Sequence, residues 1–262
     1  MKSSASVAAP VTTGRALLFR RVELKYLIDR TTRTALARDL AAFMRPDVHA
    51  GPAGSYLVRS LYLDTPDYLA YHDKMAGEAE RHKLRVRAYG ETPGHMPLVR
   101  LEVKSRYISF IHKITVDVPR EDYGEIELAI QRRRLPPARL LNGGNGSLEF
   151  FRLLRQYNME PKVIVQYRRQ ALERVEVSRI RANFDDELLA GRNLDLLGPL
   201  RGARPLLQYG HAVFEIKADD FLPRWMHTLI AKYNLQNQAV SKYCYAVRSE
   251  GRFSAVGRED EF

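Results

Sequence analysis

A single cysteine, Cys244, is the only thiol in the sequence, which excludes an intramolecular disulfide and any zinc site built on cysteines. Long apolar runs are missing too: no stretch approaches the roughly 20 residues that a membrane-spanning helix needs. Pro10 and Gly14 break the N-terminal segment before it could supply a signal-peptide core. Neither the glycine pattern of a dinucleotide fold nor that of a P-loop is present, and strands and helices do not alternate as they do in βαβ proteins. Acidic residues are the minority, 31 against 42 lysines and arginines, which leaves a net charge of +11 and a pI near 9.8. Such an excess calls for an anionic counterpart; charge alone leaves nucleic acid, an acidic membrane surface and a phosphate compound open. A reducing, cytoplasmic setting is compatible with the cysteine count and is the expectation.

What is present suffices for a core, since 45% of the 262 residues are hydrophobic. Residues 1–19, small and polar, are expected to form a disordered tail, residues 20–248 one folded domain, and residues 249–262 a loose end. Helical spacing predicts helices over 29–44, where Asp29 is a cap and Leu36, Leu40 and Phe43 share a face, and over 65–77, between Pro66 and Gly77. Two more are expected over 147–158 and 222–234, and a loop over 136–147. Between them lie about eight runs of period two, many of them consecutive. They predict an α+β protein built on an antiparallel sheet or barrel with helices packed outside it.

Three of these runs share a feature unusual for buried strands: Glu-x-Lys, in VELKY (22–26), RLEVKS (100–105) and VFEIKA (213–218). Side chains two apart in a strand point the same way. One strand face therefore collects Arg21, Glu23 and Lys25, then Lys83, Arg85 and Arg87, then Arg100, Glu102 and Lys104, then Glu215 and Lys217, while the other face is apolar. For any one strand alone, charges facing water are the simpler reading. Helices with apolar stripes must nevertheless pack on something, and the apolar strand faces are the available surface. The charged faces then turn inward, onto the inside of a closed or cupped sheet whose interior is a charged, wet tunnel. Lys113, Arg169 and Arg181 add to its cations and Asp185 to its carboxylates. Crowded cations repel and lose hydration, so the expected occupant is an anion of high charge density, such as a phosphate chain. The carboxylates are hard oxygen donors suited to Mg²⁺ or Mn²⁺ bridging to phosphate.

The Glu-x-Lys strands, together with HKLRVRAYG, VQYRRQAL and AVSKYCYAV, resemble the catalytic domain of the vacuolar transporter chaperone (VTC) polyphosphate polymerases, within the CYTH-like triphosphate tunnel metalloenzymes. The likeness runs from about Arg20 to Val247. It implies a closed antiparallel β-barrel tunnel, Mn²⁺ or Mg²⁺ as cofactor, and a phosphotransferase that moves the γ-phosphate of ATP onto inorganic polyphosphate. It makes Lys25, Arg85, Arg87, Lys104, Lys113, Arg169 and Lys217 phosphate ligands, joined by Tyr167, Ser241 and Lys242. Strand parity adds Lys83 and Arg181 as substrate-binding candidates. Glu215 becomes the main metal ligand, with Glu102 and Glu23 as further ones. Hydrolytic members of the superfamily open with Glu-x-Glu-x-Lys, whereas Arg21 stands at the first position here. That departure fits the polymerase branch and removes a ligand that a second metal would use. Larger assemblies of this type also carry membrane segments and a regulatory inositol-phosphate domain; export of product would then fall to a membrane-protein partner, and no nucleic acid is expected.

Three functions stay open at this level: a polyphosphate polymerase, a metal-dependent tunnel triphosphatase, and a non-catalytic polyphosphate-binding module. A phosphate nucleophile is already ionised near neutral pH and needs no general base, whereas water does. His82 and His112 fall on the opposite parity from Lys83 and Lys113 and are expected to be structural or exposed. Trp225, Tyr233, Tyr243 and Tyr245 are expected in the core, the run QRRRLPPAR as a solvated helix end, and Asp64 as the cap of the helix after it.

Overall fold

The computed structural model describes residues 22–251 apart from 93, 109, 142–144, 175–178, 192 and 220. The tail expected over 1–19, both Arg20 and Arg21, and residues 252–262 of the expected C-terminal end lie outside the described residues. Along the chain come β1 (Val22–Ile28), α1 (Arg30–Leu40), β2 (Arg45–Pro46), β3 (Tyr56–Asp64), α2 (Leu69–Ala76), β4 (Glu80–Gly90), β5 (Leu98–Tyr107) and β6 (Phe110–Pro119). They are followed by α3 (Tyr123–Gln131), α4 (Ala138–Leu141), α5 (Asn145–Gln156), β7 (Glu160–Arg174), β8 (Ile180–Gly191), β9 (Arg204–Pro205), β10 (Ala212–Ala218), α6 (Arg224–Lys232) and α7 (Lys242–Ser249).

All pairings are antiparallel, in the order β1-β10-β8-β7-β3-β4-β5-β6, with β2 beside β7 and β9 beside β8. The ends of this order, β1 and β6, do not pair. The closed barrel expected from the sequence is therefore corrected to a curled half-barrel. Long charged side chains occupy the seam instead: Lys104 of β5 reaches Glu23 of β1 at 3.6 Å, where a closed ladder would need backbone contact.

Alternation sets the two faces as the parity argument requires. On the convex side, Leu61, Leu84, Val86, Leu101 and Val103 pack against Ile126 and Ile130 of α3 and Phe150, Phe151 and Leu154 of α5. Tyr26, Ala182, Phe184, Phe214 and Ile216 pack against Leu36 and Leu40 of α1 and Met226 and Leu229 of α6. Asp29 caps α1, accepting from Thr32 N at 2.8 Å. That helix stops at Leu40, short of the expected 44, and Phe43 stacks on Trp225 with ring centroids 4.6 Å apart. The helix expected from 65 begins at Leu69, because Thr65–Tyr68 form a turn around the buried Asp64 carboxylate, and the expected loop 136–147 contains α4 and the first turn of α5.

The concave side is not charged throughout. Helix α7 enters one end and packs Tyr243, Cys244, Ala246 and Val247 onto Val58, Tyr62, Val163, Val165 and Tyr167 of the sheet's inner face. A bulge in β8 helps divide the interior. Glu187 adopts φ 54°, and the inward set changes from Arg181, Asn183 and Asp185 to Leu188 and Ala190. One half of the cup is an apolar plug and the other half is polar.

Candidate active site

The polar half is built from pairs laid across adjacent strands. Register sets Lys25 opposite Glu215 and Glu23 opposite Lys217, so charges of the two signs alternate over the β1–β10 floor. Glu215, 5% exposed, lies 3.0 Å from Lys217, 3.7 Å from Arg169 and 3.9 Å from Lys25. Burial alone would raise its carboxyl, but Lys217, Lys242, Lys25 and Arg169 together hold it well below the ordinary carboxylate range. On the opposite wall Glu102 accepts from Arg85 Nε at 2.5 Å, with Arg87 at 3.6 Å and Lys113 at 3.4 Å. These cations likewise overcome the effect of burial and keep it ionised.

Asp185 ties the back of the site together. Fully buried, it accepts from Arg169 Nε at 2.6 Å and Nη2 at 2.8 Å, and pairs with Lys242 Nζ at 2.7 Å. Lys242 is the first residue of α7, whose cap Ser241 accepts from Cys244 N at 3.4 Å. The plug helix thus delivers Lys242 into the site, where its Nζ also sits 4.9 Å over the Tyr167 ring. Arg87 donates to Ser60 Oγ at 3.1 Å and Tyr89 OH at 3.2 Å. Lys83 lies over the rings of Tyr62 and Tyr243, at 4.7 and 5.8 Å. Arg181, opposite Lys217, has its Nε buried without a hydrogen-bond partner. Lys104 and Lys113 stand half-exposed at the rim.

All the site residues expected from the sequence thus fall on one concave surface. His82 and His112 stay off it: His82 Nδ1 pairs with Ser105 Oγ at 2.8 Å on the outer side and His112 is exposed. Asp64 has no free lone pairs for a metal, because it accepts from Thr65 N, Ala70 N, Tyr71 N and the Tyr243 hydroxyl. Sequence reasoning missed Tyr62 and Ser60, although the alternation of YLVRSLYLD carries both to the inner face. It placed Asp185 inside without seeing that it holds two cations.

Residues 20–250 match the VTC domain. The chain belongs to the VTC domain family. No curated protein matches it. Among solved structures, this VTC domain is similar to HpAC1 from Hippeastrum, a candidate adenylyl cyclase described with a dominant triphosphatase activity: identity is 14%, TM-score 0.52, with 90% of this chain and 98% of that one covered. It is also similar to PH1819 from Pyrococcus horikoshii, at 14% identity and TM-score 0.48 over 88% of this chain and 99% of that one. The likeness to HpAC1 is one of fold. No helix among the described residues of this VTC domain is long and apolar enough to cross a membrane.

The metal expectation can be weighed against the donors present. Among the described residues no three His, Cys, Asp or Glu side chains converge. Glu23 and Glu215, however, both face Lys25, whose Nζ lies 3.0 Å from the first carboxylate and 3.9 Å from the second. As hard oxygen donors beside a basic pocket, these two carboxylates are the residues that would hold a Mg²⁺ or Mn²⁺ ion.

Proposed function

We propose that this VTC domain is a polyphosphate polymerase that transfers the γ-phosphate of ATP to the end of an inorganic polyphosphate chain. The observation that supports transfer over hydrolysis is the state of the carboxylates. Glu102, Asp185 and Glu215 are each locked to two or more cations, and the neighbouring histidines lie outside the cup. These three carboxylates are not free to act as a base for water, whereas a polyphosphate end arrives already ionised.

In this reading Arg85, Arg87 and Lys104 on one wall and Lys25, Arg169 and Lys217 on the other grip the phosphates of ATP and the acceptor, with Lys83, Lys113, Tyr167, Arg181, Ser241 and Lys242 extending the surface. The oxygen of the acceptor's terminal phosphate forms the new bond to the γ-phosphorus as its bond to the β-phosphate oxygen breaks, and ADP leaves. The arginines and lysines neutralise charge on the equatorial oxygens. A divalent ion on Glu215 and Glu23, with Glu102 as the further candidate, would neutralise charge on the β- and γ-phosphates. The plug of α7 closes one end, so the chain's path runs along the open half of the cup.

Incubating the protein with ATP and Mn²⁺, with and without a short polyphosphate primer, beside a Glu215→Gln control tests this on a gel. A ladder of long chains that the control lacks is the expected result. Orthophosphate without chains would favour the triphosphatase reading that HpAC1 prompts, and intact ATP in every lane a binding module.

A further inference from the structure

Arg59 is a charged residue in the wrong layer. Its neighbours of the same parity on β3, Leu57, Leu61 and Leu63, lie in the apolar core on the convex face, and Arg59 is fully buried among them. It sits between Ala88 of β4 and Gln166 of β7, in a part of the convex face covered by the segment between β8 and β9. Its Nε donates to Gln166 Oε1 at 2.7 Å, and its Nη1 to Leu196 O at 3.1 Å and to Gly198 O. Its Nη2 is buried with no hydrogen-bond partner. Asp195 acts on it only at longer range, and its Oδ1 accepts from Leu197 N at 3.2 Å and Gly198 N at 2.8 Å. A guanidinium in such a place, with no carboxylate of the described residues at ion-pair distance and one nitrogen unsatisfied, is costly and favours an anionic ligand.

The place for that ligand adjoins it. A cleft of about 500 Å³ has Arg59 and Gln166 as its polar lining; the rest includes Leu189, Leu197, Pro199 and Leu200. This volume lies within the range of small-molecule sites, which are mostly apolar with a few polar groups that fix orientation. The contrast with the concave face identifies the ligand class. A single guanidinium among leucines suits one negative charge on an apolar body, whereas a phosphate chain needs the many cations of the cup. We propose that the Arg59 cleft binds a monocarboxylate with an apolar chain or ring, on the opposite face of the sheet from the phosphate site and independently of it.

Octanoate is a suitable probe, titrated into the full chain by calorimetry at constant ionic strength, with octan-1-ol and inorganic phosphate as controls. The expected result is saturable binding of one octanoate. Octanol and phosphate should bind roughly tenfold or more weakly, because they lack either the charge or the apolar body. Arg59→Met should abolish the preference for octanoate over octanol. Since that variant also removes the bonds to Leu196 and Gly198, Ala203→Trp serves as a second one: Ala203 is exposed at the cleft and its enlargement fills the space without entering the core. It should weaken octanoate by a similar factor while leaving tripolyphosphate binding unchanged. Absence of saturable octanoate binding, equal affinity for octanol, an unaffected Ala203→Trp variant, or competition by tripolyphosphate would each overturn the proposal and leave Arg59 as a clamp on the covering segment. None of these outcomes depends on whether the concave site is a polymerase.

Discussion

Two side chains carry the charge logic of the site. Asp185 is buried between Arg169 and Lys242. In Asp185→Asn Lys242 loses its paired carboxylate and Arg169 keeps only Glu215, at 3.7 Å, and breaking a buried pair of this kind costs about 3–5 kcal/mol. Urea denaturation should show that loss, and added tripolyphosphate should stabilise the variant more than the parent, since an anion then replaces the missing charge. Equal stabilisation of both would mean that Asp185 does not balance the phosphate-binding cations. Tyr62 is the second residue. Burial would raise its phenol, but Lys83, Arg85, Arg87 and Lys242 surround it and pull it down to about 7, while burial pushes Lys83 down to about 8. Arg85 Nη1 is 3.5 Å from the Tyr62 hydroxyl. The sign follows from linkage: a lowered phenol stabilises the ligand-free fold fully above its ordinary value near 10, and that contribution is lost as pH falls through 7. An entering polyanion competes with the phenolate and must be accompanied by a proton. Affinity for tripolyphosphate should therefore fall as pH rises through 7, by up to about tenfold per unit for one proton. Calorimetry over pH 6–9 should find the Tyr62 contribution gone in Tyr62→Phe, leaving only the fall from Lys83, which moves below about 8 because the phenolate that helps keep its ammonium charged is absent; phosphate's own titration is common to both proteins. An unchanged profile would place the linked proton elsewhere.

Element by element, the sequence was informative where a single period held. The alternation in β1, β4, β5 and β10 placed Lys25, Arg85, Arg87, Lys104, Glu215 and Lys217 on one face, and the helical stripes of α1 and α5 located the other. It failed where the period breaks or a helix has a choice of side. The bulge at Glu187 resets parity within β8, and no property of RIRANFDDEL announces it. The apolar stripe of α7 shows that the helix is packed, not that it is packed inside the cup. Asp185 and Tyr62 were obscure for a related reason, since their importance lies in neighbours contributed by α7 and β4. The plug has a mechanical consequence. Ala246 has no exposed surface against the inner sheet, so Ala246→Leu should destabilise by about 1–3 kcal/mol through overpacking. Lys242 rides on the same helix, so tripolyphosphate binding should weaken in the same variant. Leu148→Ala, on the outer helix α5 and 48% exposed, should change stability by no more than about 0.5 kcal/mol and leave binding alone. Thermal melts and calorimetry on the two variants test the link between plug and site.

At the scale of the whole molecule the question is whether the net charge of +11 binds phosphate diffusely or whether the cup does so locally. Fold class and charged faces were legible in the sequence because β1, β4, β5 and β10 repeat one alternation of charged and apolar residues. Closure was not, because β1 and β6 leave a seam filled by side chains, and pairing between chain-distant edges leaves no local pattern. An open seam exposes Lys104 and Lys113 at the rim while Arg85, Arg87 and Arg169 stay deeper. Binding of a polyanion releases condensed counterions, and the logarithm of affinity falls with the logarithm of salt by about 0.7–0.9 for each phosphate neutralised. Lys113→Ala should reduce the slope for a long polyphosphate by about one, the amount expected for one lost phosphate contact. Arg132→Ala removes the same charge from the exposed convex side at the end of α3, and the slope should stay as in the parent. If both substitutions lower it equally, attraction is spread over the surface and the cup does not select the polyanion. If only Lys113→Ala does, the excess charge of the chain acts through the concave face, and the rim is where the polyphosphate makes contact.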